Sequence, residues 1–166
     1  MEKVNQYFMN YLLVCSDKIS KNNIPVPARD IVNFRLSLGK WGLYQKTPHK
    51  FEIQKNDRCI IYIAGKYENK QSFVSNFIVD NVVKNEDLKN YEEEQLKINT
   101  SKSLLNIIFK PTTIKNVVNA KNLLGKLDLT KNVNTLNWGV SFIGGVKRLT
   151  DNNYNIILNL INSNES

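Results

Sequence analysis

Lys55-Asn56-Asp57-Arg58-Cys59-Ile60-Ile61-Tyr62-Ile63-Ala64-Gly65 decides the reading of this chain. A polar turn runs into a strand that is apolar on both faces and still carries the Tyr62 phenol. Trp41-Gly42-Leu43 stands a short way upstream. Aromatic rings held on such rigid elements can grip a flat ligand.

Working outward, Tyr11-Leu12-Leu13-Val14-Cys15 reads as a buried first strand with Ser16 at its exit. Pro25-Val26-Pro27 and Gly39 bracket a helix over Ala28–Leu38, with Ile31, Phe34, Arg35 and Leu38 at helical spacing. The stretch 40–51, with Trp41, Tyr44 and the sole histidine His49, reads as a loop. Ser72 to Val79 forms a neighbour of the Cys59–Ala64 strand, joined to it by a charged hairpin connection over 65–71. Residues 85–97, with Glu92-Glu93-Glu94, read as an exposed excursion whose charge run is a solvated face.

Further on, Leu104 to Phe109 is a strand stopped by Lys110-Pro111, and 114–124 a short helix or turn ending at Gly125. Trp138 to Ile143 is extended, closed by Gly144-Gly145. Thr150 is the expected N-cap of a helix with a Tyr154, Ile157, Leu158, Ile161 stripe. Five or six strands with one early and one late helix imply an α+β domain: a strongly curved or barrel-like sheet plugged by helices. The open mouth of such a sheet is a common ligand site.

The length of 166 residues fits one domain spanning 1–166. No apolar run approaches the roughly 18 residues of a membrane span, and the N-terminus lacks a signal-peptide pattern, so a cytoplasmic protein with no membrane partner is expected. Cys15 and Cys59 sit in apolar runs without CxxC spacing and read as buried thiols. The net charge of +8 is consistent with a polyanionic partner. It is unevenly spread, since the acidic 85–97 segment interrupts two basic ones.

Catalytic machinery is not signalled. His49 sits between Pro48 and Lys50 with no nucleophile motif. No GxGxxG or P-loop pattern occurs, and no Cys, His or carboxylate cluster suggests a metal, so no cofactor is expected. What remains is aromatic: Trp41, Tyr62 and Trp138 lie at junctions between irregular segments and strands. Core packing is the commoner fate of such rings, but stacking on a base, worth about 1–3 kcal/mol, is the functional alternative.

Four groups of residues, in order, resemble the EVE domain. They are Tyr11–Ser16, Trp41-Gly42-Leu43, Lys55–Tyr62, and Trp138-Gly139-Val140-Ser141-Phe142-Ile143-Gly144-Gly145 with Leu149-Thr150 and Tyr154. That family belongs to the PUA-like superfamily, with YTH and ASCH domains as relatives. One departure is Asn56-Asp57 where the family has Gly-Asp; asparagine tolerates the left-handed conformation glycine would adopt. Another is the long 17–40 insertion.

The resemblance implies a PUA-like curved β-barrel with packed helices. It also implies a non-catalytic reader that binds DNA or RNA and holds a modified, for example methylated, base flipped into an aromatic pocket. A nuclease or other effector protein is an implied partner. Carried onto this sequence, Trp41 and Tyr62 are the pocket aromatics, Trp138 is next, Ser16 is a polar contact at the lip, and Gly42 and Leu43 line a wall. Arg29, Arg35, Lys40, Lys46, Lys50 and Lys66 would grip the backbone. Two alternatives stay open. One is an ASCH-like enzyme on a modified nucleoside or RNA, for which Lys46, Thr47 and Glu52 are the nearby candidates; the other is a protein-interaction domain that has lost the pocket.

Overall fold

In the computed structural model, which describes residues 8–98, 100–128 and 145–163, the opening stretch becomes an inner strand of the larger sheet. The elements run β1 (Asn10–Cys15), β2 (Lys18–Ile19), β3 (Pro25–Val26), α1 (Ala28–Leu38), β4 (Lys40–Leu43), β5 (Arg58–Ile63) and β6 (Ser72–Ile78). They continue as β7 (Asn81–Lys84), α2 (Tyr91–Leu96), β8 (Leu105–Ile108), β9 (Val118–Asn119), a 3₁₀ turn (Ala120–Leu123), β10 (Val146–Leu149) and α3 (Asp151–Ile161). The strand expected at 138–143, and Trp138 with it, lies outside the described residues. No helix among the described residues is long and apolar enough to cross a membrane.

The five-stranded sheet has the order β10-β1-β5-β6-β9. β1 and β5 are parallel, in register from Asn10↔Arg58 to Cys15↔Ile63, and the other pairings are antiparallel. A strand apolar on both faces needs cover on both sides, and β5 has it. Cys59, Ile61 and Ile63 join the core with α1, β4 and β8, while Ile60 and Tyr62 turn to a second cluster under α3.

The smaller sheet has the order β4-β8-β7. The chain passes from β6 to β7 through Val79 and Asp80, whose N–H groups donate to the carbonyls of Asp57 and Ile108 at 2.9 and 2.8 Å. A strand that changes sheets at a bend makes a corner, and the main core fills the angle, with Phe77 and Phe109 stacked at 3.7 Å. Among the described residues the ladders form these two sheets, joined at this corner, and a separate two-stranded β2–β3 pair, and do not close a barrel.

Local chemistry fixes several boundaries. Gly39 ends α1 in the left-handed region at φ 69°, returning its N–H to Arg35 and Leu36. Asn56 takes φ 74° at the turn before β5, the conformation the Asn-Asp pair was expected to allow. Asp57, fully buried, accepts from the N–H groups of Met9 and Gln54 at 3.0 and 2.9 Å. Thr150 caps α3 through a bond from the Asn153 N–H at 3.1 Å.

Three expectations are corrected. The stretch 40–51 is not wholly loop, because Lys40–Leu43 pairs with β8 and alternates Trp41 and Leu43 inward. The 85–97 excursion carries α2, capped by Asn90. The 114–124 segment holds a two-residue strand before its 3₁₀ turn.

Candidate functional site

A cavity of about 430 Å³ opens where the parallel strands β1 and β5 end. Val14, Cys15 and Ser16 come to it from β1 and its exit, and Tyr62 and Ala64 from β5 and its exit. Trp41 and Gly42 arrive from β4, Arg35 from α1, and Gly145 and Val146 from the start of β10. Lys18, Tyr44, Thr47 and Gln71 supply further polar groups. In open α/β sheets, ligands bind in crevices outside the carboxyl ends of parallel strands.

Ser16, Trp41, Gly42 and Tyr62 therefore border one space. The two rings do not face each other as open plates: Trp41 is 3% exposed in the main core and Tyr62 is 1% exposed in the cluster under α3. Tyr62 packs against Phe73 with ring centroids 5.2 Å apart, and burial raises its phenol above the ordinary tyrosine range. Leu43 does not border the cavity. It is fully buried in the main core, because the alternation of β4 that presents Gly42 to the space turns Leu43 away.

Arg35 is the larger correction. The helix buries Ala28, Ile31, Val32, Arg35 and Leu36, so the buried stripe contains the arginine while Leu38 is half exposed. Its guanidinium lies over the Trp41 ring at 4.6 Å and makes a two-pronged ion pair with Glu92 of α2, Nε donating to Oε1 and Nη2 to Oε2 at 3.2 Å. Glu92 is thus no solvated charge. Burial pushes its carboxyl up, but Arg35 and the Tyr44 hydroxyl outweigh that and hold it below the ordinary range. For Arg35 too, burial opposes the charge, and the paired Glu92 carboxylate, the neighbour that is ionised at neutral pH, overcomes it and leaves the guanidinium firmly protonated.

Tyr44 completes this wall. Its hydroxyl donates to Glu92 Oε2 at 3.1 Å, and its own N–H donates to Thr47 Oγ1 at 2.8 Å. Burial, ahead of its charged neighbours, pushes the phenol up to about 12. Gly42 makes room for it, since a Cβ there would stand 3.1 Å from the hydroxyl oxygen and 3.0 Å from Ser103 Cβ. Residues i and i+2 of an extended chain share a side, so Trp-Gly-Leu-Tyr carried a readable signal for the Gly42–Tyr44 pair.

Asp17, absent from the sequence expectations, braces the mouth. One carboxylate oxygen accepts from the Ala28 N–H at the start of α1 at 2.8 Å, the other from the Lys66 N–H after β5 at 2.9 Å. Gly65 leaves room for it, because a Cβ there would fall 2.6 Å from Asp17 Cγ and force the carboxylate to shift.

Of the expected backbone contacts, Arg29 pairs with Glu68 and Lys40 with Asp87. Lys46 and Lys66 are exposed, and Lys50, half-buried, lies over Phe51 at 4.9 Å. Among the described residues none of these three lysines has a carboxylate partner, and Lys18 at the cavity is likewise unpaired. The alternative trio separates: Thr47 borders the cavity and Lys46 does not, while Glu52 accepts from Arg148 at 2.7 Å and pairs with His49 at 2.6 Å.

The fold that carries this cavity has counterparts among solved structures. The crystal structure of ASCH from Zymomonas mobilis is similar over 91% of this chain and 94% of its own, with a TM-score of 0.53 at 7% identity. The NMR structure of Rpa0253 from Rhodopseudomonas palustris is similar over 95% and 96%, at 0.52 and 12% identity. The N-terminal domain of Staphylothermus marinus McrB is similar over 95% and 97%, at 0.50 and 8% identity. At these identities the likeness is one of fold alone: the chain has a fold of the kind seen in the ASCH structure. Neither a protein-family profile nor a curated protein matches the sequence.

Proposed function

We propose that this domain binds nucleic acid and receives in its cavity a base extruded from the stack, with a modified base as the preferred occupant, as in an EVE-type reader. One observation carries the reading: Ser16, Trp41, Gly42 and Tyr62, singled out by separate EVE-like motifs, border a single cavity of about 430 Å³. That volume lies in the range of small-molecule sites. Lys18 at the cavity, with Lys46, Lys50 and Lys66 on the surface, supplies cations for phosphates.

Because both rings are nearly buried, they serve as edges and floor, and discrimination falls to hydrogen bonds from the Arg35, Tyr44 and Thr47 wall. The domain holds the base without altering it, and any cleavage is the work of a partner. Fluorescence anisotropy with oligonucleotides carrying 5-methylcytosine, 5-hydroxymethylcytosine or N6-methyladenine, against unmodified and abasic controls, tests this. At least one base should bind more tightly than the abasic control, and a modified one most tightly. Ser16→Trp, which fills the lip, should remove the preference, and Lys18→Glu should lower every affinity and flatten the salt dependence. Equal affinity for all, abasic included, defeats the reading, and chromatographic recovery of an altered base defeats its non-catalytic part.

A further inference from the structure

Arg35 and Tyr44, which border the cavity, have a hydrogen-bond polarity fixed by their shared partner Glu92. A carboxylate can only accept, and Glu92 takes the Arg35 Nε and Nη2 protons and the Tyr44 hydroxyl proton. The phenol has one proton and it is spent; its oxygen keeps lone pairs. That oxygen stands over Gly42, within 3.1 Å of where a Cβ would be, and Gly42, Arg35 and Tyr44 all border the cavity. Burial keeps the phenol neutral far above physiological pH, so the proton does not leave.

Arg35 is spent differently. A guanidinium carries five N–H donors; Glu92 takes Nε and one on Nη2, and Nη1 reaches only the Cys15 sulfur, at 4.0 Å. It therefore retains donors, while its charge is already matched by Glu92. An anion gains little from such a wall, and a neutral heterocycle gains a donor beside an acceptor.

We infer that Tyr44 sets the specificity of this cavity by acting as an acceptor only, so that the occupant must be a neutral base presenting an N–H to Tyr44 and an acceptor to Arg35. This rests on the base-binding reading above and adds which edge is read. Occupants lacking an N–H at that edge leave the phenol oxygen facing a carbon, and a buried acceptor without a partner is expensive.

Matched oligonucleotides test it: cytosine against N4,N4-dimethylcytosine, uracil against 3-methyluracil, and adenine against N6,N6-dimethyladenine, each beside an abasic control. For the base that wild-type protein holds best, exchanging N–H for N-methyl should weaken binding by about tenfold or more. Tyr44→Phe, with its melting temperature measured in parallel, should bring that pair to within about threefold. Unchanged discrimination in Tyr44→Phe means the methyl groups are rejected by bulk, which overturns the inference, as does wild-type protein that treats the pairs alike. Binding no stronger than to the abasic control strikes instead at the base-binding reading and takes this one with it.

Discussion

Glu92→Ala should be among the most damaging single changes in the polar part of this molecule, although Glu92 belongs to a run of three glutamates. The Arg35 and Glu92 side chains are 8% and 14% exposed, and removing one partner of a buried pair costs about 3–5 kcal/mol, because the other charge stays behind without compensation. The same carboxylate also holds the Tyr44 hydroxyl, so that loss is contained in the figure rather than added to it. Peeling of the short helix α2 could bring water to Arg35, which sets the expectation at the lower end, about 3 kcal/mol. Glu93→Ala is the internal control. It removes a neighbouring glutamate from the same helix, but its pair with Lys21 is 35% and 53% exposed and is worth about 0–1 kcal/mol. In urea unfolding with a slope of about 2 kcal/mol/M, the midpoint should fall by about 1.5 M for Glu92→Ala and by less than about 0.5 M for Glu93→Ala. Arg35→Met combined with Glu92→Leu should recover much of the difference, since an apolar pair leaves no buried charge. Equal midpoints for the two single variants would refute the assignment of Glu92 to a buried pair with Arg35.

Stability should also depend on acid through Glu92. Its folded-state pKa lies below the ordinary value of 4.5, so the contribution is complete above that value and is lost as pH falls from there through the folded pKa; urea midpoints should show this step in wild-type protein and a smaller one in Glu92→Ala. Gly65→Ala should force Asp17 off the Ala28 and Lys66 amides, lowering stability by about 1–3 kcal/mol and slackening the cavity mouth. A thermal melt within a degree of wild type would show that the clamp yields without cost. Thr150→Ala removes the N-cap of α3 and should cost about 1 kcal/mol, readable as a fall in melting temperature of a few degrees.

The parts of the fold that were legible in the sequence carry their cause locally. Proline and glycine set the ends of α1, threonine sets the start of α3, and β1 and β5 declare themselves by being apolar throughout. β7 and β10 were not legible, because Asn81–Lys84 and Val146–Leu149 are short and partly polar and owe their strand form to partners far away in sequence, β8 and β1. The site divides the same way. Trp41 and Tyr62 were visible as aromatics at junctions between irregular segments and strands, and Ser16 and Gly42 only through the resemblance to the EVE domain. Arg35 and Glu92 looked like ordinary surface charges, because nothing within one segment reveals that two ions meet in the interior. Leu43 failed for a smaller reason: whether 40–51 is loop or strand decides which of two adjacent residues faces the cavity.

The place of β1 in its sheet bears on how the protein is made. An inner strand whose two partners both follow it in sequence waits for each of them: Asn10 pairs with Arg58 on one side and with Leu149 on the other. At about 5–20 residues per second of synthesis, the second partner leaves the ribosome on the order of ten seconds after the first strand. Throughout that interval Leu12 and Leu13 sit beside an unpaired backbone edge, the kind that recruits other chains. One edge of β1 therefore stays open long after β5 has covered the other, and holding that edge apart is a task for the folding machinery rather than for the finished fold.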